Sequence, residues 1–581
     1  MVGSSGEARA ADSSQGARGG ERGFSAWFHT RAGAAVCIVV LAAIAAWLRF
    51  TGLDHDLPHF LNRDGLKVVL QTELMRQGVW DGAGEPRWSQ YPHLLARIVS
   101  FLGQADHEAR RTLAEHIAGA SSTWMQIRTV NALAGTLAVP LTYALARHFL
   151  DRARAILAAG FVATSMVHIE LSIDERPHVL LTTLVILVAL MAMRLRRRPD
   201  VSTHALAATA SGLAMGALHN GIATFLMVAT AWWMRAPPRR LTRVPALAAM
   251  ALLVCGWAAI FYPFAFLSKP HASPPRPGVI TLWGKEFYPE RLDGTGFIRM
   301  AEPLWAWDSC LFVLGLAGCA VLAVRGWSLV RSSPTALRAD VAIASSFCIP
   351  YIVVFGLYRE TAGRYVLPLI PFLACAAAGV VPRRFAVGAF ALILVQLVPA
   401  AHMARLRARP DTVEQASELV ARLAAEDEGI AVTPNLDLPL FTADRSLAAN
   451  ASRPWRTIWS EYQSKLGSIP REGRRYEVLV DPFRGRGPDA PAITDPIQEL
   501  KERGVHWVVV AGPSDILPNL LSALHAQAAR VARISPMRVD RAENPCVPVT
   551  VTRSVWVFPP PVFHLLGATS TGPTVEIYRL P

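Results

Sequence analysis

The chain has 581 residues, 52% of them hydrophobic and only 18% charged, with a mean hydropathy of +0.29. That length asks for more than one domain, and a soluble protein of this size carries more charge and disperses its apolar residues. The formal charge of +14 raises nucleic acid as a partner, but the arginines sit in short tracts between apolar blocks, a pattern of loops that orient membrane helices rather than of a phosphate-binding face. No nucleic acid is expected.

In chain order, residues 1–32 are rich in Gly, Ser, Ala and Arg and read as a disordered cytoplasmic tail. The apolar run Gly33–Phe50 lacks a small-x-small cleavage site and reads as a retained first transmembrane helix. Further apolar blocks fall near 124–147, 153–171, 178–193, 204–218, 220–234, 244–266, 309–325, 340–358, 364–381 and 385–401. A helical span takes roughly 20 apolar residues, so the pair flanking His219 and Asn220 is short and reads as a tilted hairpin or re-entrant element. About eleven transmembrane helices result. Arginine tracts (147, 152 and 154; 194 and 196–198; 235, 239, 240 and 243; 325, 331 and 338; 383 and 384) occupy alternate connections, which places the N-terminus in the cytoplasm and the C-terminal part outside the cell membrane.

The expected organisation is a tail (1–32), a transmembrane domain (33–403) and an extracytoplasmic α/β domain (404–581). The last shows an amphipathic run, Val413 to Leu423, then strand-like Gly429-Ile-Ala-Val and Val505–Ala511. Six of the seven cysteines lie in apolar segments and Cys546 alone in the polar C-terminal region. None has C-x-x-C spacing, so neither a zinc site nor a disulfide framework is indicated. Gly485-x-Gly487 follows no strand and carries no phosphate-loop reading.

Chemistry concentrates in the polar connections on one side. The first holds Asp54, Asp56 and Asp64; a carboxylate there suits a general base, and a partly desolvated cleft brings its titration towards the working pH. The same spacing also fits a solvated acidic loop with helix caps. The second connection packs Asp174, Glu175, Arg176 and His178 between two spans, as a site or as an ion-paired turn. The third polar cluster, Tyr358 to Tyr365, carries Arg364, whose guanidinium fork matches phosphate oxygens or serves as an interface anchor. Residues 267–308 hold Trp283, Phe287, Tyr288 and Trp305, suited to the headgroup level. His55, His59, His93 and His178 show no metal-ligand spacing; no cofactor is certain, and a divalent metal stays open.

Several stretches then become familiar: Arg49-Phe-Thr-Gly-Leu-Asp54 with Pro58 and Asp64, Tyr91-Pro-His-Leu94, Arg128-Thr-Val-Asn-Ala-Leu-Ala-Gly135, His168-Ile-Glu-Leu-Ser172 with Arg176-Pro177, Gly363-Arg-Tyr-Val-Leu-Pro, Asp411-Thr, Gly504-Val-His-Trp-Val-Val-Val and Gly572-Pro-Thr-Val-Glu-Ile-Tyr-Arg. In this order, from about residue 45 onward, they resemble GT-C-fold glycosyltransferases of the dolichyl-phosphate-mannose protein mannosyltransferase and aminoarabinose transferase type. The resemblance implies an inverting transfer of a sugar from a polyprenyl-phosphate donor to a lipid, glycan or protein acceptor outside the cytoplasm. It implies Asp64 as the base; from the residues themselves, Asp56 is expected beside it, Arg176 and Arg364 are the candidate cations for the donor phosphate, and Asp174, Glu175, His178, Tyr365 and Tyr91 are expected in support. Two positions depart from the family pattern: Gly65 stands where a second acid is expected, and His178 where an acid often follows Arg-Pro. A secondary transporter and a non-catalytic envelope-assembly scaffold are the rival readings.

Overall fold

A computed structural model of the chain describes residues 30–55, 57, 65–76, 92–103, 113–234, 243–262, 280–282, 285–332, 335–425, 428–433, 438, 440, 442–443, 446, 476–480, 495–511, 518–538 and 560–581. Its helices are α1 (Arg31–Phe50), α2 (Gly65–Arg76), α3 (Leu94–Leu102), α4 (Leu113–Ala146), α5 (Arg152–Thr164), α6 (Met166–Ser172), α7 (His178–Arg197), α8 (Val201–Ala217), α9 (Phe225–Trp233), α10 (Arg243–Phe261), α11 (Thr295–Trp307), α12 (Ser309–Ser332), α13 (Thr335–Leu357), α14 (Ile370–Val380), α15 (Phe390–Arg407), α16 (Thr412–Leu423), α17 (Pro496–Glu502) and α18 (Pro518–Gln527). The strands are β1 (Ile280–Leu282), β2 (Lys285–Phe287), β3 (Gly429–Val432), β4 (Glu477–Val480), β5 (Val505–Ala511), β6 (Ala529–Ile534) and β7 (Val575–Arg579).

Each of the eleven apolar blocks contains helix. Among the described residues seven helices are long and apolar enough to cross a membrane, or eight when α5 and α6 count as one bent span. The short pair is α8, then a 3-10 turn over His219–Thr224, then the nine-residue α9. At 1.5 Å per residue α9 alone rises roughly 14 Å, under half of a hydrocarbon core. A side chain at Gly221 would begin 2.1 Å from the Ala214 carbonyl oxygen, so the chain folds back against α8 only because this residue is glycine.

The chain divides into two compact units. One comprises residues up to Arg49, 132–172 and 178–400. Its least regular feature is the 53° bend between α5 and α6 at Ser165, which no proline causes. An unbroken helix would bond the amides of Met166 and Val167 to the carbonyls of Val162 and Ala163. Here Asp308 accepts from the Met166 and Val167 amides at 2.7 and 3.2 Å and from the Ser165 hydroxyl at 2.5 Å. The orphaned carbonyls of Val162 and Ala163 instead accept from the Arg49 guanidinium, each at 3.2 Å. One carboxylate and one guanidinium thus replace the two missing backbone bonds, as burial requires. Arg49 also donates to His168 Nδ1 at 2.9 Å and to the Ser172 hydroxyl at 3.2 Å. Gly135 makes room for this, since a Cβ there would lie 2.3 Å from Ser172 Oγ.

The other unit comprises residues 50–131, 173–177 and 401–581. It contains a five-stranded sheet ordered β4-β3-β5-β7-β6, with β4, β3 and β5 parallel and β7 antiparallel to both β5 and β6. Alternate residues face opposite layers. Ile430, Val432, Trp507 and Val509 pack with Val413, Ala416 and Val420 of α16, while Ala431, Val508 and Val510 pack with Ile497 and Leu500 of α17 and Leu520 and Leu524 of α18. Cover on both faces explains why Val508–Val510 is continuously apolar rather than alternating. Asp411 starts α16 by accepting from the Val413 and Glu414 amides, both at 2.7 Å.

Candidate functional site

Asp56, Asp64 and Tyr91 lie outside the described residues. The second polar connection, 173–177, links α6 to α7. Arg128, near the middle of α4, donates to Glu175 at 2.7 Å, and both side chains are buried. The same guanidinium donates to the carbonyls of Leu53 and His55 at 2.9 and 2.7 Å. One turn on, Asn131 donates to the carbonyls of Asp174 and Arg176 at 2.6 and 2.9 Å. Arg176 pairs with Asp174 at 3.3 Å, each side chain partly exposed. The 128–131 face of α4 therefore clamps the first acidic connection and the second one together.

Gly65, next in the chain to Asp64, opens α2 against Glu175: a Cβ there would stand 2.4 Å from Glu175 Oε2. The acid expected at position 65 has no room, because the Glu175 carboxylate already fills that space. Gly52, two residues before Asp54, has φ +66° and approaches the backbone carbonyl carbon of Arg407, which a Cβ would meet at 2.5 Å. Only glycine suits both demands. Also in this unit, His93 is buried, and burial followed by the nearby Arg97 charge lowers its pKa to about 4, so its ring is neutral at physiological pH.

His178 and Tyr365 come together in the helical unit, rings edge-on with centroids 5.7 Å apart. Tyr365 stacks on Phe355 at 4.7 Å, which contacts Tyr351 at 4.5 Å, whose hydroxyl accepts from Asn220 at 2.9 Å. The Arg364 guanidinium lies 6.0 Å from the Tyr365 ring centroid, so this aromatic column braces the 363–369 turn carrying the arginine.

The 288–295 stretch is laced to the 357–361 connection. Leu292 bridges Tyr358, the Arg359 amide donates to the Arg291 carbonyl at 2.8 Å, Arg291 pairs with Glu360 at 2.9 Å, and Arg359 Nε donates to Asp293 at 2.6 Å. Bonds from the Thr295 hydroxyl and amide, reinforced by Arg359, lower the Asp293 pKa to about 2. A carboxylate held below its unfolded value stabilises above that value and loses the contribution as pH falls towards the folded one. The protection factor of the 357–361 amides, taken relative to intrinsic exchange at each pH, is accordingly expected to be constant above about pH 4 and to fall towards pH 2. Asp293→Asn should remove the protection already at neutral pH; an unaltered profile in that variant would discount the clasp.

Arg128, Asn131, Arg49 and Asp308 were not among the expected site residues. Arg128 and Asn131 were visible as polar side chains three apart in the apolar block at 124–147, spacing that puts both on one helix face. Among the described residues no three His, Cys, Asp or Glu side chains converge as a metal group.

The helices and the three-layer unit define a multi-pass membrane protein with an α/β sheet domain at its C-terminal end. No protein-family model matches the chain, and no curated protein does. Solved structures similar to it include ArnT from Cupriavidus metallidurans in the apo state, at 14% identity over 86% of this chain and 96% of that one, with a TM-score of 0.44. The Archaeoglobus fulgidus oligosaccharyltransferase in its apo form is similar at 12% identity, over 83% of this chain and 70% of that one, TM-score 0.43. The arabinofuranosyltransferase AftD from Mycobacteria follows at 17% identity, over 95% of this chain and 40% of that one, TM-score 0.35. These likenesses are distant and add nothing about chemistry to what this chain's own residues supply.

Proposed function

We propose that the protein is an inverting glycosyltransferase that takes its sugar from a polyprenyl-phosphate donor at the extracytoplasmic face of the cell membrane. The donor class rests on the motif resemblance, and the sidedness on the alternating arginine tracts. The observation that carries the reading is the clamp. Arg128 ties Leu53 and His55 of the acidic connection to Glu175, the neighbour of Arg176, and Gly65 beside Asp64 packs on that same Glu175. The clamp supports the reading because it holds the chain neighbours of the proposed base and of the proposed phosphate cation together.

In the proposed reaction the Asp64 carboxylate, with Asp56 nearby, takes the proton of an acceptor hydroxyl or amine as that atom attacks the anomeric carbon. The bond from that carbon to the phosphate oxygen breaks on the opposite face, and its electron pair leaves with polyprenyl phosphate. Arg176 and Arg364 offset the growing charge, while Asp174, Glu175, His178, Tyr365 and Tyr91 hold the surrounding loops. The carrier reading is disfavoured by the α5–α6 break. Carriers leave broken-helix ends open to substrate, whereas here Arg49 and Asp308 occupy them.

Incubating the full chain in nanodiscs with labelled polyprenyl-phosphate sugar tests the reading. Donor should be consumed and polyprenyl phosphate released, with Asp64→Asn lowering turnover by about two to four orders of magnitude at unchanged thermal midpoint. Undiminished turnover in that variant would remove Asp64 from the mechanism. Uptake into proteoliposomes without donor consumption would replace the enzyme with a carrier.

A further inference from the structure

The turn after α4 and the end of α7 enclose a concavity of about 380 Å³ lined by His148, Leu190, Arg194, Arg197 and Arg198. It is braced from α13 by Asp340, whose side chain is only 1% exposed. The Asp340 carboxylate accepts from Arg196 at 3.2 Å and from Arg197, and lies 3.1 Å from His148 Nδ1. Arg197 also donates to His148 Nδ1 at 2.9 Å. Asp200, the other carboxylate nearby, feels Arg194 but caps α8, accepting from the Thr203 amide at 2.8 Å and the Ser202 hydroxyl at 2.7 Å. Four arginines (194, 196, 197 and 198) against these two carboxylates leave a net charge of +2 before His148 is protonated.

Orienting a span needs positive charge in the adjoining loop; it needs neither a cavity nor a buried acid aligning the arginines. We propose that this concavity binds the phosphate of an anionic phospholipid, from the leaflet at the arginine-rich end of α7. Guanidinium forks match phosphodiester oxygens, and Leu190 supplies an apolar wall towards the interior of the span, where acyl chains begin. The site is independent of the transferase reading.

Native mass spectrometry of the full chain in mild detergent, with phosphatidylglycerol or phosphatidylcholine added, tests it. Phosphatidylglycerol should be retained in clear preference. Arg194→Gln with Arg198→Gln should weaken that retention on the order of tenfold to thirtyfold, as two lost surface cations predict. Both arginines are exposed, so the variant should keep its thermal midpoint without lipid, and phosphatidylglycerol should raise that midpoint only in the parent protein. Equal retention of the two lipids, or full retention by the double variant, would overturn the proposal. Displacement of the lipid by millimolar inorganic phosphate would overturn it too, assigning the site to free phosphate.

Discussion

Replacing Asp308 with Ala is expected to lower stability by about 3 kcal/mol or more, since it strands buried donors that each cost roughly 1–3 kcal/mol unpaired. Those donors are the Met166 and Val167 amides and the Ser165 hydroxyl. The helix has no easy repair. Straightening at Ser165 would let the amides reach the Val162 and Ala163 carbonyls, but would strip the buried Arg49 of two acceptors. Asp308→Asn keeps one acceptor oxygen and should lose less. Thermal unfolding of the purified chain in detergent checks the series, and a midpoint unchanged by Asp308→Ala would show that the break is held by something else.

The second large effect is expected at Arg128. Its removal leaves the Glu175 carboxylate buried without that partner, which typically costs about 3–5 kcal/mol. Arg128→Met combined with Glu175→Met should recover part of the loss, because no charge then remains buried. Recovery should be incomplete, since the carbonyls of Leu53 and His55 still lose their donor. A double variant no better than Arg128→Ala in unfolding midpoint would mean that Arg128 acts through those carbonyls rather than through Glu175.

The helical framework was legible because a span needs only composition. The blocks at 178–193 and 340–358 announce themselves as long, predominantly apolar runs, and helices cover the first and all but the last residue of the second. Val505–Ala511 was legible for a related reason, its long apolar run and β-branched content. The edge strand Ala529–Ile534 was not, because an exposed edge with Arg530 and Arg533 shows no clean alternation. The break at Ser165 was invisible locally. Its cause is Asp308, which in the sequence looks like an ordinary residue at the start of an apolar block. Arg176 and Glu175 stand out in the sequence because they are charged residues between spans. Arg128, their clamp, does not stand out in the same way, since one arginine in a mainly apolar block does not reveal which backbone it will grip.

The splice across the α5–α6 break has a consequence for biogenesis. The acceptor for the Val167 amide lies 141 residues further along the chain. Until that stretch leaves the ribosome the kinked form has no acceptor for the Met166 and Val167 amides, and a straight helix, with its own carbonyls as acceptors, satisfies them instead. The bend at Ser165 should therefore form late, after the helix has been made straight, out of synthesis order.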